Sequence, residues 1–439
     1  MSRFVRAFCI AVAGLASVFA PVSRALAQDT TFRGITLGGN YDPLHDKFGV
    51  VVLPVTGAFG DSVRTIVQRD LDYSDRFTVI PVDTADPSAF RAASGGGLDY
   101  PIFARLAAAA VVQITPVATG LHVAVHDVSK GAVINVAEFA LPSAGLGRDW
   151  RLAVHRVSDE VERWVTGQRG IAATRVAYSR GQTIRIVDSD GANEITVPTE
   201  PNAVSPAWSP NGSMLAYGTY GASSRLMLMD LSTGRSRPIA GPARNTTFST
   251  PAFTPDGNSL VFSRSTEEGS DLYSTSVTGD SPRRLTIGHG AVNSGPTVSP
   301  DGHRIVYVGN ALGRPELYIM DSDGTSVDVL TNYDFSEKNY RSDPDWSPDG
   351  RLIAYQEMVN GRFQLRTIPA RGGTPKPLTS EAENEQPSWA PDSRHLVFTS
   401  SRTGVRQLWV MDTESGRFRQ LTKSAGSRLP SWSARITTP

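Results

Sequence analysis

From Pro206 onward, short runs of alternating apolar and polar residues recur along the chain, each introduced by the same punctuation. The punctuation reads Pro206-Ala-Trp208-Ser-Pro210-Asn211-Gly212, Pro251-Ala-Phe253-Thr-Pro255-Asp256-Gly257 and Pro296-Thr-Val298-Ser-Pro300-Asp301-Gly302. It continues as Pro344-Asp-Trp346-Ser-Pro348-Asp349-Gly350, Pro387-Ser-Trp389-Ala-Pro391-Asp392-Ser393 and a truncated Pro430-Ser-Trp432-Ser433. The leading prolines are 45, 45, 48, 43 and 43 residues apart. Each Asp-Gly or Asn-Gly pair supplies a tight turn. A strand follows it: 215–217, 260–262, 305–307, 353–355 and 396–398. A second strand is predicted over 226–230, 272–276, 317–321, 365–368 and 408–412. A third ends in Leu-Thr, at Leu285-Thr286, Leu330-Thr331, Leu378-Thr379 and Leu421-Thr422.

With the proline segment that makes four strands per unit of about 44 residues, the period of a β-propeller blade. Strands over 175–179 and 184–188, with the Asp190-Gly191 turn and Ile195-Thr196, form a unit whose proline segment is missing. The last proline segment has no strands after it. Joined, these fragments complete a sixth blade from the two chain ends and remove the free sheet edges. An open β-solenoid of the same period is the alternative, and it leaves both fragments unpaired.

Ahead of the repeats the pattern changes. Residues 48–57 read as a buried strand. Val63, Ile66, Val67, Asp70 and Leu71 fall at helical spacing within 61–73. A strand over 77–81, a helix over 101–110, strands over 110–116, 120–127 and 133–141, and a helix over 149–164 complete the pattern. Leu152, Val157, Val161 and Trp164 form the buried face of that last helix. The fold class expected is thus a small N-terminal α/β domain (48–166), a linker (167–174) and a six-bladed β-propeller (175–434), followed by a short tail (435–439).

Residues 28–47 lack a helical period and read as an extended tail. Before them, Arg3 and Arg6 precede an apolar run over 7–20, and Ala25-Leu26-Ala27 offers small residues for cleavage. This is a secretory signal, 1–27, with an N-terminal membrane anchor as the alternative. The run is short of the roughly 20 residues a bilayer span needs.

The 439 residues carry 43 basic and 43 acidic side chains. The leader holds three of the basic ones and no acid, leaving −3 on the remainder, which argues against a nucleic-acid partner. Cys9, the one cysteine, lies in the leader, so no disulfide is expected afterwards. The 40 Gly and 29 Pro exceed the usual share and fall largely in the turn punctuation.

Secreted propellers often cap a serine hydrolase, but no Gly-x-Ser-x-Gly elbow occurs, and the residues after Ser433 leave no room for a catalytic domain. His122 and His126 share a strand face about 13 Å apart, too far for one metal, and read as a surface strand. Asp188-x-Asp190-Gly191 and Asp321-x-Asp323-Gly324 resemble calcium loops but lack the downstream Glu, so turns are favoured over ion sites. Gly95-Gly-Gly97 follows no strand that makes it a phosphate cradle. Trp208, Phe253, Trp346, Trp389 and Trp432 are assigned to blade packing rather than sugar stacking. No catalytic residue, metal ligand or cofactor site is assigned. The loops 240–250, 288–295, 332–343, 380–386 and 423–429, rich in Asn, Ser, Thr and Gly, suit contacts with a macromolecule.

The leader, the α/β domain and the six proline-aromatic-Ser-Pro-Asp-Gly repeats resemble the TolB family, periplasmic propellers of the Tol-Pal system, along essentially the whole chain after the leader. The strand-helix opening 50–70, coupled to the closing Pro430-Ser-Trp432-Ser433, is the more specific part. The resemblance implies a non-enzymatic, monomeric scaffold in the periplasm, not embedded in a membrane. It would bind the lipoprotein Pal on the propeller and TolA through its tail, with other outer-membrane proteins as further partners, and serve outer-membrane integrity and cell division. The Pal-facing residues it implies are Thr247, Thr250, His289, Ser294, Asn339 and Asn384. The TolA-binding stretch is Gln28, Asp29, Thr30, Thr31, Phe32, Arg33, Gly34 and Ile35. A tail that docks on its own domain in one state and extends in another would couple the two sites. The competing class is a propeller-type secreted hydrolase or lyase with its site at the central channel.

Overall fold

A computed structural model describes residues 47–82, 87–92, 97–143, 145–287, 292–331 and 340–436. The leader, the tail as far as Asp46, Gly95, Gly96, His289 and Asn339 lie outside the described residues. The N-terminal part runs β1 (Phe48–Val52), α1 (Gly60–Tyr73), β2 (Phe77–Val79), α2 (Tyr100–Arg105), β3 (Ala110–Val117), β4 (Gly120–Asp127), β5 (Ala132–Ala140) and α3 (Arg148–Thr166). Its five strands form one sheet in the order β2-β1-β3-β4-β5, with β1 parallel to both neighbours. Residues alternate between the two faces of β1, and both faces are covered. Val50 and Val52 pack with Val67 and Leu71 of α1 and Val157 and Val161 of α3. Val51 and Leu53 pack with Phe90 and Phe103.

Several boundaries differ from the sequence expectation, among them the strand expected over 77–81, which ends at Val79. The strand expected over 48–57 stops at Val52, where Pro54 has no N–H for a further ladder bond. The helix expected over 101–110 ends at Arg105: Ala107 turns into a left-handed conformation, and Ala108 N–H returns to Phe103 O at 3.0 Å, freeing Ala110 to open β3. The last helix extends to Thr166, where Gly167, at φ 77°, donates to Arg163 O and closes it, a left-handed stop that suits glycine.

Six four-stranded antiparallel sheets follow. The first blade comprises Ala203–Trp208, Met214–Thr219, Leu226–Asp230 and Arg235–Ala240, innermost strand first, and the next four repeat that order. The sixth sheet is ordered Ser427–Trp432, Arg175–Arg180, Thr183–Asp188, Ile195–Thr196; Ser427 pairs with Arg180 and Trp432 with Val176. The outermost strands are shorter than expected. In the second blade that strand is Arg283–Arg284, and the following Leu285 and Thr286 turn inward. Thr286 Oγ1 accepts Leu272 N–H at 3.0 Å and donates to Asp271 at 2.7 Å. Thr379 and Thr422 take the corresponding N–H of Leu365 and Leu408, so the Leu-Thr ending plugs the sheet edge instead of extending it.

The repeated aromatics join blades, as their place between prolines predicts. Trp208 Nε1 donates to Ser431 O at 3.1 Å and Trp389 Nε1 to Asp345 O at 3.2 Å, each across to the preceding blade. Blades also meet backbone to backbone: a Cβ added at Gly218 would lie 2.2 Å from Phe248 O of the second blade. Gly218→Ala is therefore expected to destabilise the propeller by about 1–3 kcal/mol through overpacking, measured as a lower urea midpoint; an unchanged midpoint would show that the blades separate freely there.

Candidate functional site

The innermost strand of every blade breaks register at its leading proline. Proline has no N–H, so the ladder skips, and the residue before it adopts a left-handed conformation. Those residues are Ser205, Thr250, Gly295, Asp343, Gln386 and Leu429. Their bulges line a central channel of about 450 Å³. Only Gly295 adopts this conformation without a Cβ; a β-branched residue such as Thr250 does so against steric cost, and the surrounding contacts must hold it.

Side chains of neighbouring strands do hold it. Ser263 Oγ lies 2.7 Å from Thr250 Oγ1 and accepts Gly295 N–H at 3.1 Å. Gln356 Oε1 accepts Gln386 N–H at 2.8 Å, and Gln386 Oε1 in turn accepts Leu429 N–H at 2.9 Å. The bulges at Gly295, Gln386 and Leu429 are thus pinned by a side chain of the preceding blade and Thr250 by one of its own blade, so the channel mouth is a polar belt. On that face a groove of about 250 Å³ lies between the second, third and fourth blades, lined by Thr250, Ser294, Gly295, Tyr340, Asp343 and Phe363. Tyr340 and Phe363 meet edge to face at 5.5 Å and give the groove an apolar wall. Burial pushes the Asp343 carboxyl up to about 6, helped by the nearby Glu385 charge. Burial also pushes Asp345 up to about 7, against the Trp389 N–H that it accepts.

The structure brings Thr250 and Ser294 together at this groove, with Thr247 half-buried two pairs away on the same strand. Asn384 is a correction: it is fully buried. Its amide donates to Gln364 Oε1 and Glu381 O, and its oxygen accepts Ser400 Oγ–H, so it supports the loop and has no free polar atom to offer a partner. Ser263, Gln356, Asp343, Tyr340 and Phe363 went unassigned from sequence. Ser263 and Gln356 share the repeat column immediately after the aromatic of the second strand, and aligning that column would have found them.

The channel lining includes no His, Cys, Lys or Arg among the described residues. His126 is buried, not on a surface strand: Tyr100 OH lies 2.9 Å from its Nδ1 and Gln113 Oε1 3.3 Å from its Nε2. The two calcium-like segments are turns, closed by Gly191 N–H to Asp188 O and Gly324 N–H to Asp321 O. Asp190, however, points into the joint between the α/β domain and the propeller. There Asp70, His155 and Asp190, and separately Asp75, His395 and Asp412, each bring three ligand-type atoms within 4.8 Å. Arg69 and Arg151 on Asp190, and Arg394 on Asp412, already supply the counter-charge a cation would bring, so neither group suits a metal.

Residues 162–436 match the family described as the TolB beta propeller domain. The Tol-Pal system protein TolB of Polaromonas is 33% identical over 189 residues, covering 40% of this chain and 42% of its own. That of Escherichia fergusonii is 34% identical over 201 residues, covering 43% and 46%. The chain thus aligns with under half the length of either curated relative. The crystal structure of TolB from Acinetobacter baumannii superimposes with a TM-score of 0.75 at 24% identity, covering 89% of this chain and 97% of that one; it shares the fold.

Proposed function

Because the chain belongs to the TolB beta propeller domain family, we propose that it is a non-enzymatic scaffold of the Tol-Pal system in the periplasm. In this reading the propeller loop face binds the lipoprotein Pal, the tail Gln28–Ile35 binds TolA, and the two together support the outer membrane and its invagination at division. The observation that carries the reading is the groove at the channel mouth. It combines an aromatic wall, the hydroxyls of Thr250 and Ser294 and a belt of pinned backbone, which is the mixture of apolar anchor sites and polar rim that protein partners use. The curated relatives named as Tol-Pal proteins support it. Consistent with a periplasmic scaffold, no helix among the described residues is long and apolar enough to cross a membrane. We also propose the domain division 28–47, 48–166, 167–174, 175–434 and 435–439 as the division of labour, with His289 and Asn339, outside the described residues, kept among the proposed Pal-facing positions.

The test is calorimetric binding of the full chain to purified Pal and to TolA. The Thr250→Lys, Ser294→Arg double variant is expected to weaken Pal binding at least tenfold and to leave TolA binding unchanged, because the bulky charges fill the groove only. Deleting 28–35 is expected to abolish TolA binding; deleting Gln28–Thr31 alone, with both affinities unchanged, would exclude a tail that couples the two sites. Wild-type affinity of the groove variant for Pal would refute the assigned face. Turnover of a polysaccharide or ester that falls on Asp343→Asn would favour the enzymatic alternative.

A further inference from the structure

The joint between the α/β domain and the propeller contains two buried histidines that mirror each other. His155, on α3, is fully buried. Its Nδ1 lies 2.7 Å from Asp70 of its own domain, and its Nε2 lies 3.7 Å from Asp190 of the propeller. That Nε2 has no hydrogen-bond partner. His395, which opens the second strand of the fifth blade, is also buried. Its Nδ1 lies 2.7 Å from Asp392 of its own domain and its Nε2 3.4 Å from Asp75 at the end of α1. Each domain therefore sends one imidazole toward a carboxylate of the other, and each imidazole is backed by a carboxylate at home.

Between the two bridges α3 buries Asp159 and Glu162. Both approach the same point of the linker: a Cβ at Gly170 would lie 2.5 Å from Asp159 Oδ1 and 2.8 Å from Glu162 Oε2. Asp159 accepts the N–H groups of Ala172 and Ala173, and the Arg435 charge opposes the effect of its burial. Glu162 pairs with Arg76 at 3.0 Å and faces Asp392 and His395 across the joint. Two carboxylates at this separation in a water-poor seam oppose each other's ionisation.

We propose that this joint is a proton-operated latch, held shut by two reciprocal Asp–His–Asp bridges and by a protonated carboxyl in the Asp159–Glu162 pair, and loosened as those groups lose their protons. The joint also holds the ion pairs of Arg69 and Arg151 with Asp190, of Lys47 and Arg417 with Asp75, and of Arg394 with Asp412. Arg419, over the Tyr73 ring and donating to Ser189 O, is lowered by burial to about 10.

The direction follows from linkage. Burial disfavours the charged form of His155, but Asp70 and Asp190 outweigh it and raise the group above its ordinary value. For His395 burial is likewise outweighed, by Asp392 and Asp75, and the group rises from 6.5 to about 9. His395 therefore stabilises the closed joint fully below 6.5 and loses that contribution as pH rises through about 9, and His155 acts in the same direction. Burial raises Asp159 from 3.8 to about 7 and Glu162 from 4.5 to about 8. Closure takes up a proton there as well, so it weakens as pH climbs from the ordinary carboxylate range toward 7 and 8. Asp75 runs the other way: despite burial, His395, Arg417 and Lys47 lower it to about 2, so its contribution is lost only as pH falls below 3.8. The latch is tightest near pH 4–6 and opens between 7 and 9.

The test is a distance measurement in the chain from Gln28 onward, which has no cysteine of its own, using spin labels at Arg105→Cys and Thr233→Cys on exposed sites of the two domains. One narrow distance distribution is expected at pH 6, and a second, longer population at pH 9. Glu162→Gln, which cannot ionise, is expected to shift the midpoint upward in pH. His395→Gln is expected to populate the longer distance already at pH 6; if that variant fails to fold, Glu162→Gln decides. A distribution identical at pH 6 and 9, or a midpoint unmoved by Glu162→Gln, overturns the latch.

Discussion

Replacing Trp432 by alanine is expected to lower the stability of the propeller by about 3–5 kcal/mol, the usual cost of deleting a large buried aromatic. Trp432 sits on the strand that closes the ring by pairing with the first strand of the propeller, Arg175–Arg180. Its ring packs among Val176, Tyr178, Leu408 and Val410, drawn from the fifth and sixth blades. Its Nε1 donates to Thr174 Oγ1 at 2.8 Å, in the segment that leads from α3 into the sheet. Its backbone N–H bonds Ser388 Oγ of the fifth blade at 3.1 Å. One side chain thus ties together the linker, the pairing of Ser427–Trp432 with Arg175–Arg180, and the neighbouring blade. Trp432→Phe keeps most of the buried ring and loses the indole hydrogen bond, so a cost of about 1 kcal/mol is expected. Urea unfolding of both variants measures the difference. Equal, small losses would mean that the sixth blade is held by its outer strands and not by this seam.

Arg341→Ala is expected to cost a comparable amount, about 3–5 kcal/mol, for an electrostatic reason. Arg341 is buried between two acids. Its Nη1 lies 2.8 Å from Glu316, which is fully buried, and its Nε 2.7 Å from Glu357. Arg314 Nε and Thr331 Oγ1 also reach Glu316. Removing the guanidinium takes one of two cations from each buried carboxylate, leaving Glu316 with Arg314 and Glu357 with Arg366 only. The wild-type cluster need not exceed an apolar replacement in stability; the loss arises from breaking it halfway. Combining Arg341→Met with Glu316→Gln and Glu357→Gln is therefore expected to recover most of the loss in thermal unfolding. Failure of the triple variant to recover would mean that Arg341 acts through packing. Arg341 opens the innermost strand of the fourth blade beside Tyr340, so Arg341→Ala should also weaken the groove on the loop face.

The pattern of residues made the propeller legible because each of its rules is local. A blade needs a turn that only Asn-Gly or Asp-Gly makes cheaply, an apolar alternation of period 2, and an aromatic at one place. All three lie within about twelve residues and recur in three units, while the third unit has Val298 for the aromatic, the fifth Asp392-Ser393 for the turn, and the sixth is truncated. The α/β order was readable for the same reason, with its errors at Val52 and Arg105 arising where a proline or a left-handed alanine ended an element early. The Leu-Thr ending was visible but misread as strand, because its threonine bonds a neighbouring strand's N–H that no local period reveals.

The candidate groove was half legible. Thr250 and Ser294, implied by the family resemblance, do line it, whereas Asn384, implied in the same way, is drawn inward by Gln364 and Ser400. Which of two polar loop residues faces solvent depends on the partner waiting beneath it, and that partner belongs to another strand.

By itself the sequence determined the repeat, its period, the four-strand unit and the α/β preamble, since these follow from spacing along one chain. Only the tertiary structure decided the joint. His395 meets Asp75 across 320 positions and His155 meets Asp70 across 85. In sequence each is one histidine among seven with nothing beside it to mark it. Burial and opposing charge act through distance in space, and the folding of one domain against another creates both.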